Sequence, residues 1–515
     1  MGTHPAPEAA SPQPGSAAGR RDRRWAVALP ATLVLAALAL RLVGLEEPER
    51  LYFDEVYYVA DARALLADGV EDGFVVHPPL GKWLIAAGIA VAGDGPLGWR
   101  LASAVAGALL VGVTYAVGLR LLGRRSLAAL AGLLVAVDGM ALVSSRVAML
   151  DGFLALLVAA AAWALLADGA ARDGPGDPSL EVGPRPWRGW ALGASPARWV
   201  AGGLLGLAVA TKWAGLLAIG AAGLVSLVGD LLARRRATGR VLADPVHLLA
   251  GLAVPLLLVP AAVYLASYAG WFAGYEQTRP GQAACTGEPC EISAGERVAG
   301  WWGEQAAIAR FHTDLDAEHP YRAGAWTWPL LTQPVAYAYE TAESCDEGAA
   351  EADGPQDAEA DADEAAVGDA DDAPGDPAAR GCGLAEGQVR HILAVGNPAV
   401  WWPAGLAVLA LGWAAARHRR GDAGFLLAFT LGQWLPWLVV ARPVFLFYTV
   451  PIVPFLALAL AWGAAETSRS PRLRWLPAAL AVGALLGLAF WYPIWLGTPI
   501  EEGAWRARIL FASWY

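Results

Sequence analysis

The sequence predicts an all-α polytopic membrane protein. Three observations carry that prediction. The 515 residues are 56% hydrophobic and include 24 tryptophans, whereas soluble domains run at about 45–50% apolar. The apolar excess is gathered into long Ala/Leu/Val/Gly blocks. The basic residues cluster in alternate connections between those blocks.

A spanning helix needs about 20 apolar residues. Eleven segments read as spans: roughly 25–45, 97–119, 126–143, 152–168, 199–211 (short), 213–232, 246–266, 398–416, 423–441, 443–465 and 475–497. With a cytoplasmic N-terminus, 21 of the 37 Lys and Arg residues fall in the short connections of one side. That side is cytoplasmic by the positive-inside rule, and an odd count of spans leaves the C-terminus external. The basic stretch followed by an apolar run at the N-terminus has no small-residue cleavage site after it, so it reads as the first membrane helix, not a removed leader. The expected order is a cytoplasmic basic tail (1–24), a transmembrane module (25–266) with an external loop (46–96), a large external loop (267–397), C-terminal helices (398–497) and an external tail (498–515).

The net charge of −11 is misleading. Residues 343–377 hold 14 acidic groups and no basic one, which leaves +3 for the rest of the chain. Such a block self-repels and cannot bury a core, so a solvated linker is expected; it lacks the ordered ligand spacing of a calcium loop. The four cysteines, Cys285, Cys290, Cys345 and Cys382, all fall in the large external loop. An even count on the oxidising side suggests one or two disulfides, with three connectivities open. No C-x-x-C pair supports a metal site.

Polar residues at membrane depth are costly and are commonly functional. The stretch "LYFDEVYY" puts Asp54 and Glu55 among four aromatic rings just outside the first span. Asp54 could instead be a helix N-cap, and the tyrosines an ordinary aromatic belt. "HPPLGKWLI" contributes His77 and Lys82, and residues 82–93 read as an interfacial helix too short to span. Arg100 lies at the outer end of the second span, while Asp138, Arg146 and Asp151 surround the next outer turn. Lys212 and Arg442 lie at two further outer junctions. Any one cation could merely snorkel to lipid phosphate. Together, two acids facing several cations at one level suit transfer from a phosphate-bearing lipid. Glu55, His77, Asp138 and Asp151 could ligate a divalent cation, but no spacing among them is diagnostic. No metal or other cofactor is implied, and nothing points to a nucleic-acid partner.

Seven ordered blocks, "FDEVYY", "HPPLGKWLI", "GWRLASAVAG", "DGMALVSSRVAMLDGFL", "TKWAGL", "FHTDLDAEHPYRAGAWTWPL" and "RPVFLFYTVPIVPF", resemble the protein O-mannosyltransferase family of bacterial, actinobacterial type. The match runs from about residue 25 to the C-terminal "WRARILFASWY". The resemblance implies a GT-C glycosyltransferase fold, a polyprenyl-phosphate-mannose donor and a Ser/Thr acceptor on a secreted or membrane polypeptide. It places the enzyme in the plasma membrane with an external active site, where association with the secretion translocon would be natural. It also favours inversion, with Asp54 as general base and Glu55 positioning the acceptor; the convergence of charges on the outer face adds His77, Lys82, Arg100, Arg146, Asp151, Lys212 and Arg442 as candidate substrate-binding residues. Eukaryotic relatives carry a β-trefoil domain in the large loop; this chain has Trp-rich segments and the acidic insert there. Rival readings are another GT-C polyprenyl-phosphate-sugar transferase acting on a lipid or cell-wall glycan, and a polytopic transporter. A transporter would show repeated halves and midplane broken helices, which this sequence does not.

Overall fold

The structure, a computed structural model, describes residues 17–71, 76–173, 191–284, 292–315, 319–344 and 383–514. The four cysteines and nearly all of the acidic insert lie outside the described residues.

Helices form where the apolar runs stand. In chain order they are α1 (Ala17–Leu42), α2 (Glu55–Ala67), α3 (Leu80–Ala92), α4 (Pro96–Leu122), α5 (Arg125–Ala136), α6 (Gly139–Val143), α7 (Asp151–Asp173), α8 (Pro196–Thr211) and α9 (Gly215–Thr238). Then come α10 (Pro245–Ser267), α11 (Ala294–Asp314), α12 (Pro398–His418), α13 (Gly421–Trp434), α14 (Leu446–Thr467) and α15 (Leu476–Leu496). Among the described residues, eight helices are long and apolar enough to cross a membrane. The three remaining expected spans land on shorter helices: α5 with α6, α8 and α13. The chain is thus a multi-pass membrane protein.

Helix α14 forms the centre of the bundle, with 83% of its apolar window buried, whereas α1 sits at the periphery with 11%. Small residues permit the closest crossings. A Cβ at Gly202 of α8 would come 1.8 Å from the Pro255 carbonyl oxygen of α10, and one at Gly107 of α4 would meet Ser145 and Arg41. The small-residue run after Arg100 therefore serves close packing against other parts of the protein. Inside α10 the turn Val254–Leu258 is π-helical, next to Pro255 and Pro260, consistent with a helix that must widen around prolines.

Two features depart from the sequence reading. The expected span at 126–143 is broken at Asp138, whose carboxylate caps α6 by accepting from the Ala141 amide at 3.1 Å. It also accepts from the Asn397 amide at 3.0 Å and the Trp401 indole at 2.8 Å. Asp138 is therefore a buried anchor between α6 and α12. Nor is the chain wholly α-helical. Strands β1 (Val335–Thr341), β2 (Gln388–Ala394) and β3 (Ile500–Glu501) form one antiparallel sheet in that order. The acidic insert falls in the β1–β2 connection, and β3 ties the C-terminal tail to the large loop. Glu340 and Arg390 face each other across β1 and β2 and pair at 2.7 Å, while Arg50 reaches the other Glu340 oxygen at 2.8 Å. The sheet is thereby fastened to the loop that presents Asp54.

Candidate active site

The loop between α1 and α2 is held by two buried arginines. Arg146 donates to the carbonyls of Arg41, Val43 and Gly44 at 2.6, 2.7 and 2.8 Å, closing the C-terminal end of α1. Arg100, fully buried on α4, donates to the carbonyls of Leu45, Pro48 and Arg50 at 2.8–2.9 Å. Its fork also meets Glu55 at 2.7 and 3.2 Å. Glu55 accepts two further bonds, from the Tyr52 amide at 3.2 Å and the Ala148 amide at 3.1 Å.

These contacts show how several of the expected site residues are engaged. Arg100 spends its guanidinium on backbone carbonyls and Glu55, and Arg146 on backbone carbonyls, so both staple the loop. Glu55 is sealed from solvent and holds the loop. Lys82 is likewise engaged, 2.8 Å from Asp61 and 2.6 Å from Glu71, with no exposed side-chain surface.

Asp54 is different. The residue before it, Phe53, has φ +55°, a left-handed conformation that a bulky side chain adopts only under constraint. The Phe53 ring stacks on Tyr337 of β1 with centroids 4.2 Å apart and meets Phe447 edge-on at 5.6 Å. Those contacts fix the turn that sets Asp54 at the start of α2. Its side chain makes no capping bond, so the N-cap alternative does not hold. The carboxylate, on a residue of intermediate exposure, instead accepts from the Tyr58 hydroxyl one turn later. Burial raises its pKa to about 6, the nearby Asp151 adds to the rise, and Lys212 opposes it.

Lys212 sits in the break between α8 and α9, in extended conformation with φ −158° and ψ 135°. It pairs with Asp151, the first residue of α7, at 2.9 Å. Its ammonium lies 5.4 and 5.2 Å from the Phe447 and Tyr448 rings. Arg442 lies over Tyr448 at 5.5 Å and Trp437 at 6.0 Å; among the described residues it has no carboxylate partner. His77 is buried beside Tyr58 and stacks on His312 of α11, with centroids 6.1 and 5.4 Å apart. Asp54, Asp151, Lys212, Arg442 and His77 therefore lie close together. Sequence reasoning had Phe53 only as one of the four rings around the acids, and missed Tyr337, Phe447, Tyr448 and His312. The aromatic "FLFY" run and the His-bearing block were visible, but nothing local says where such rings meet. No group of three His, Cys, Asp or Glu side chains is placed to hold a metal among the described residues.

Comparison with known proteins bears on this arrangement. The family model described as dolichyl-phosphate-mannose-protein mannosyltransferase matches residues 94–273, and that described as the C-terminal four-transmembrane region of protein-O-mannosyltransferase matches 298–514. The polyprenol-phosphate-mannose–protein mannosyltransferase of Mycolicibacterium smegmatis is 32% identical over 96% of this chain and 94% of its own. The protein of the same name from Mycobacterium tuberculosis is 31% identical over 96% and 92%. This chain belongs to the protein O-mannosyltransferase family.

As a member of that family it is a glycosyltransferase. The fold agrees. A chain of the S. cerevisiae protein O-mannosyltransferase Pmt1-Pmt2 complex, solved with its sugar donor, superimposes with a TM-score of 0.69 at 14% identity, covering 94% of this chain and 92% of that one. ArnT from Cupriavidus metallidurans bound to undecaprenyl phosphate gives 0.50 at 17% identity, covering 94% and 77%. The GT-C fold expected from the sequence is thus present. Asp54 precedes the first family-model match, but the alignment to the mycobacterial relatives omits too little of the chain to exclude it.

Proposed function

We propose that this mannosyltransferase moves mannose from polyprenyl-phosphate-mannose to Ser or Thr hydroxyls of secreted or membrane polypeptides, with inversion, on the external face of the plasma membrane. The observation that carries the mechanism is the difference between three neighbouring carboxylates. Glu55 is sealed by four hydrogen bonds and Asp151 is tied to Lys212. Asp54 is the least buried residue of the three, and burial raises its proton affinity towards neutrality, where a general base works best.

In the proposed step the acceptor oxygen attacks the anomeric carbon and gives its proton to Asp54. The bond from that carbon to the phosphate oxygen breaks, and the electron pair leaves on polyprenyl phosphate. That leaving group is an anion, so it needs positive charge more than a proton. Arg442, which has no carboxylate partner among the described residues, supplies most of it, and Lys212 adds to it while sharing its charge with Asp151. A single displacement needs one working carboxylate, whereas retention would ask for a second close to the anomeric carbon. The external placement rests on the basic residues of the opposite loops; the acceptor chain would arrive there as it emerges, in reach of the secretion translocon. The test is direct. Purified protein should transfer one hexose from polyprenyl-phosphate-mannose to a Ser/Thr-rich peptide and none from a nucleotide sugar. Transfer from the nucleotide sugar alone would contradict the donor assignment.

Two variants separate the cations. Arg442→Gln removes a charge-assisted contact of about 1.5–3 kcal/mol, so the donor KM should rise by roughly 10–100-fold with a smaller change in kcat. An unchanged donor KM would remove Arg442 from the phosphate site. Lys212→Met deletes the charge that lowers the Asp54 pKa and leaves Asp151 uncompensated beside it. The acid limb of the pH–rate profile should therefore move to higher pH. An unmoved limb would uncouple Lys212 from the base.

A further inference from the structure

Beside Asp54 and its cations lie two imidazoles that the mechanism does not use. His77 is buried, and its Nδ1 is shielded from solvent without a hydrogen-bond partner among the described residues; the same is true of the Nδ1 of His312. A buried polar atom left unpaired is costly, so two on stacked rings call for a partner. The second nitrogen of His312 says what kind. Its Nε2 lies 3.2 Å from the Val76 carbonyl oxygen, which can only accept, so Nε2 carries the proton. Burial and the nearby cations lower the pKa of His312 to about 4 and that of His77 well below its ordinary value. Both rings are therefore neutral at working pH, and Nδ1 of His312 offers a lone pair.

An unprotonated nitrogen recognises a hydroxyl donor. A phosphate monoester, which mainly accepts, does not suit it, nor does a prenyl chain; a cation is disfavoured by Lys212 and Arg442. The surroundings also suit a pyranose. Tyr58 flanks His77, and Trp213 lies 6.1 Å from His312, oriented by its indole bond to the Tyr264 hydroxyl at 2.9 Å. Aromatic faces can take up the C–H side of a sugar while the nitrogens take its hydroxyls. Because Asp54 can serve only one acceptor hydroxyl, and the imidazoles flank the cations assigned to the phosphate, the hydroxyls they meet belong to the sugar still joined to that phosphate.

From this geometry we infer that His77 and His312 form the subsite that binds the hydroxyl groups of the transferred hexose, with His312 Nδ1 as a hydrogen-bond acceptor. The inference rests on the donor reading above and makes the imidazole pair a determinant of sugar specificity. Phosphate contacts would hold any polyprenyl-phosphate sugar; the histidines would select among them. Recognition of this kind is sharp, because removing one buried partner leaves the other unsatisfied.

The test uses His312→Phe and His77→Phe, which keep a ring in the stack without its nitrogens, and His312→Asn, which can restore an amide near Nδ1. Substrates are polyprenyl-phosphate-mannose, its monodeoxy analogues and sugar-free polyprenyl phosphate. For His312→Phe, kcat/KM with the mannosyl donor should fall about 10–100-fold while binding of sugar-free polyprenyl phosphate stays unchanged, and His312→Asn should recover part of the loss. One deoxy donor should be transferred no more slowly by the variant than by the wild type, because the same hydrogen bond is already missing. If both Phe variants discriminate against every deoxy donor as strongly as the wild type, the subsite lies elsewhere. A parallel loss of polyprenyl-phosphate binding would show a structural role and overturn it equally. Failure of the wild type to use any mannosyl donor would remove the donor reading itself, an outcome distinct from normal turnover with unchanged discrimination.

Discussion

Asp54→Asn should lower mannosyl transfer by about 10²–10⁴-fold, the range that positioned general bases contribute, without loosening the protein. The stability half of this expectation follows from linkage. In the folded chain the Asp54 pKa is raised, so the folded state binds the proton more tightly than the unfolded chain does. Ionisation then disfavours the fold, a cost that sets in as pH rises through the ordinary carboxylate range towards 6 and stays constant above it. A neutral asparagine does not carry that cost at pH 7. The variant should therefore unfold in detergent at a temperature no lower than the wild type. Near-normal turnover in such well-folded protein would show that another group takes the acceptor proton. A large fall in unfolding temperature would instead assign Asp54 a structural role.

Arg100→Met should do the opposite. It leaves the buried Glu55 carboxylate with only the Tyr52 and Ala148 amides and strands the carbonyls of Leu45, Pro48 and Arg50. Removing one member of a buried ion pair typically costs about 3–5 kcal/mol, a large share of the total stability of most domains. The expected result is low accumulation and a clearly lowered unfolding temperature, with activity lost because the loop that aims Asp54 is no longer held. Arg100→Lys should fall short as well, since one ammonium cannot reproduce a planar fork that meets both Glu55 oxygens and three carbonyls. A phosphate-binding Arg100 predicts another pattern: normal thermal stability with weakened donor binding. Measuring unfolding and donor affinity on the same preparation separates the two.

These two variants also mark what the sequence can and cannot express. A run of about 20 apolar residues has few structural options, so α4, α7 and α9 were legible directly. The break at Asp138 was not, because a single aspartate inside an apolar stretch reads as a cost until Asn397 and Trp401 are seen to satisfy it. The sheet was hidden for a related reason. β1 and β2 are separated by the acidic insert and pair non-locally, and β3 is two residues long.

At the site, membrane topology alone brought Asp54, Asp151, Lys212 and Arg442 to one end of the bundle, and the structure brings them together. Asp151 and Lys212 pair with each other there, and the neighbouring Glu55, Lys82, Arg100 and Arg146 are each engaged by partners that their local sequence does not announce. Charge is written in the sequence; whether it is already spent is not. The strained backbone at Phe53 belongs to the same class, since the rings that hold it come from Tyr337 and Phe447, far along the chain.

The central claim is that Asp54 is a base tuned by burial and by Lys212, and the pH dependence of kcat/KM tests it most directly. Glu71 and Glu304, both raised to about 7 by burial, titrate in the same window, so the profile must be compared between wild type and Asp54→Asn. The wild-type rate should fall with decreasing pH through an apparent pKa of about 6, with unit slope below it. The residual rate of Asp54→Asn should lack that limb. A wild-type profile that is flat through this range, or an Asp54→Asn profile that keeps the same limb, would contradict the account.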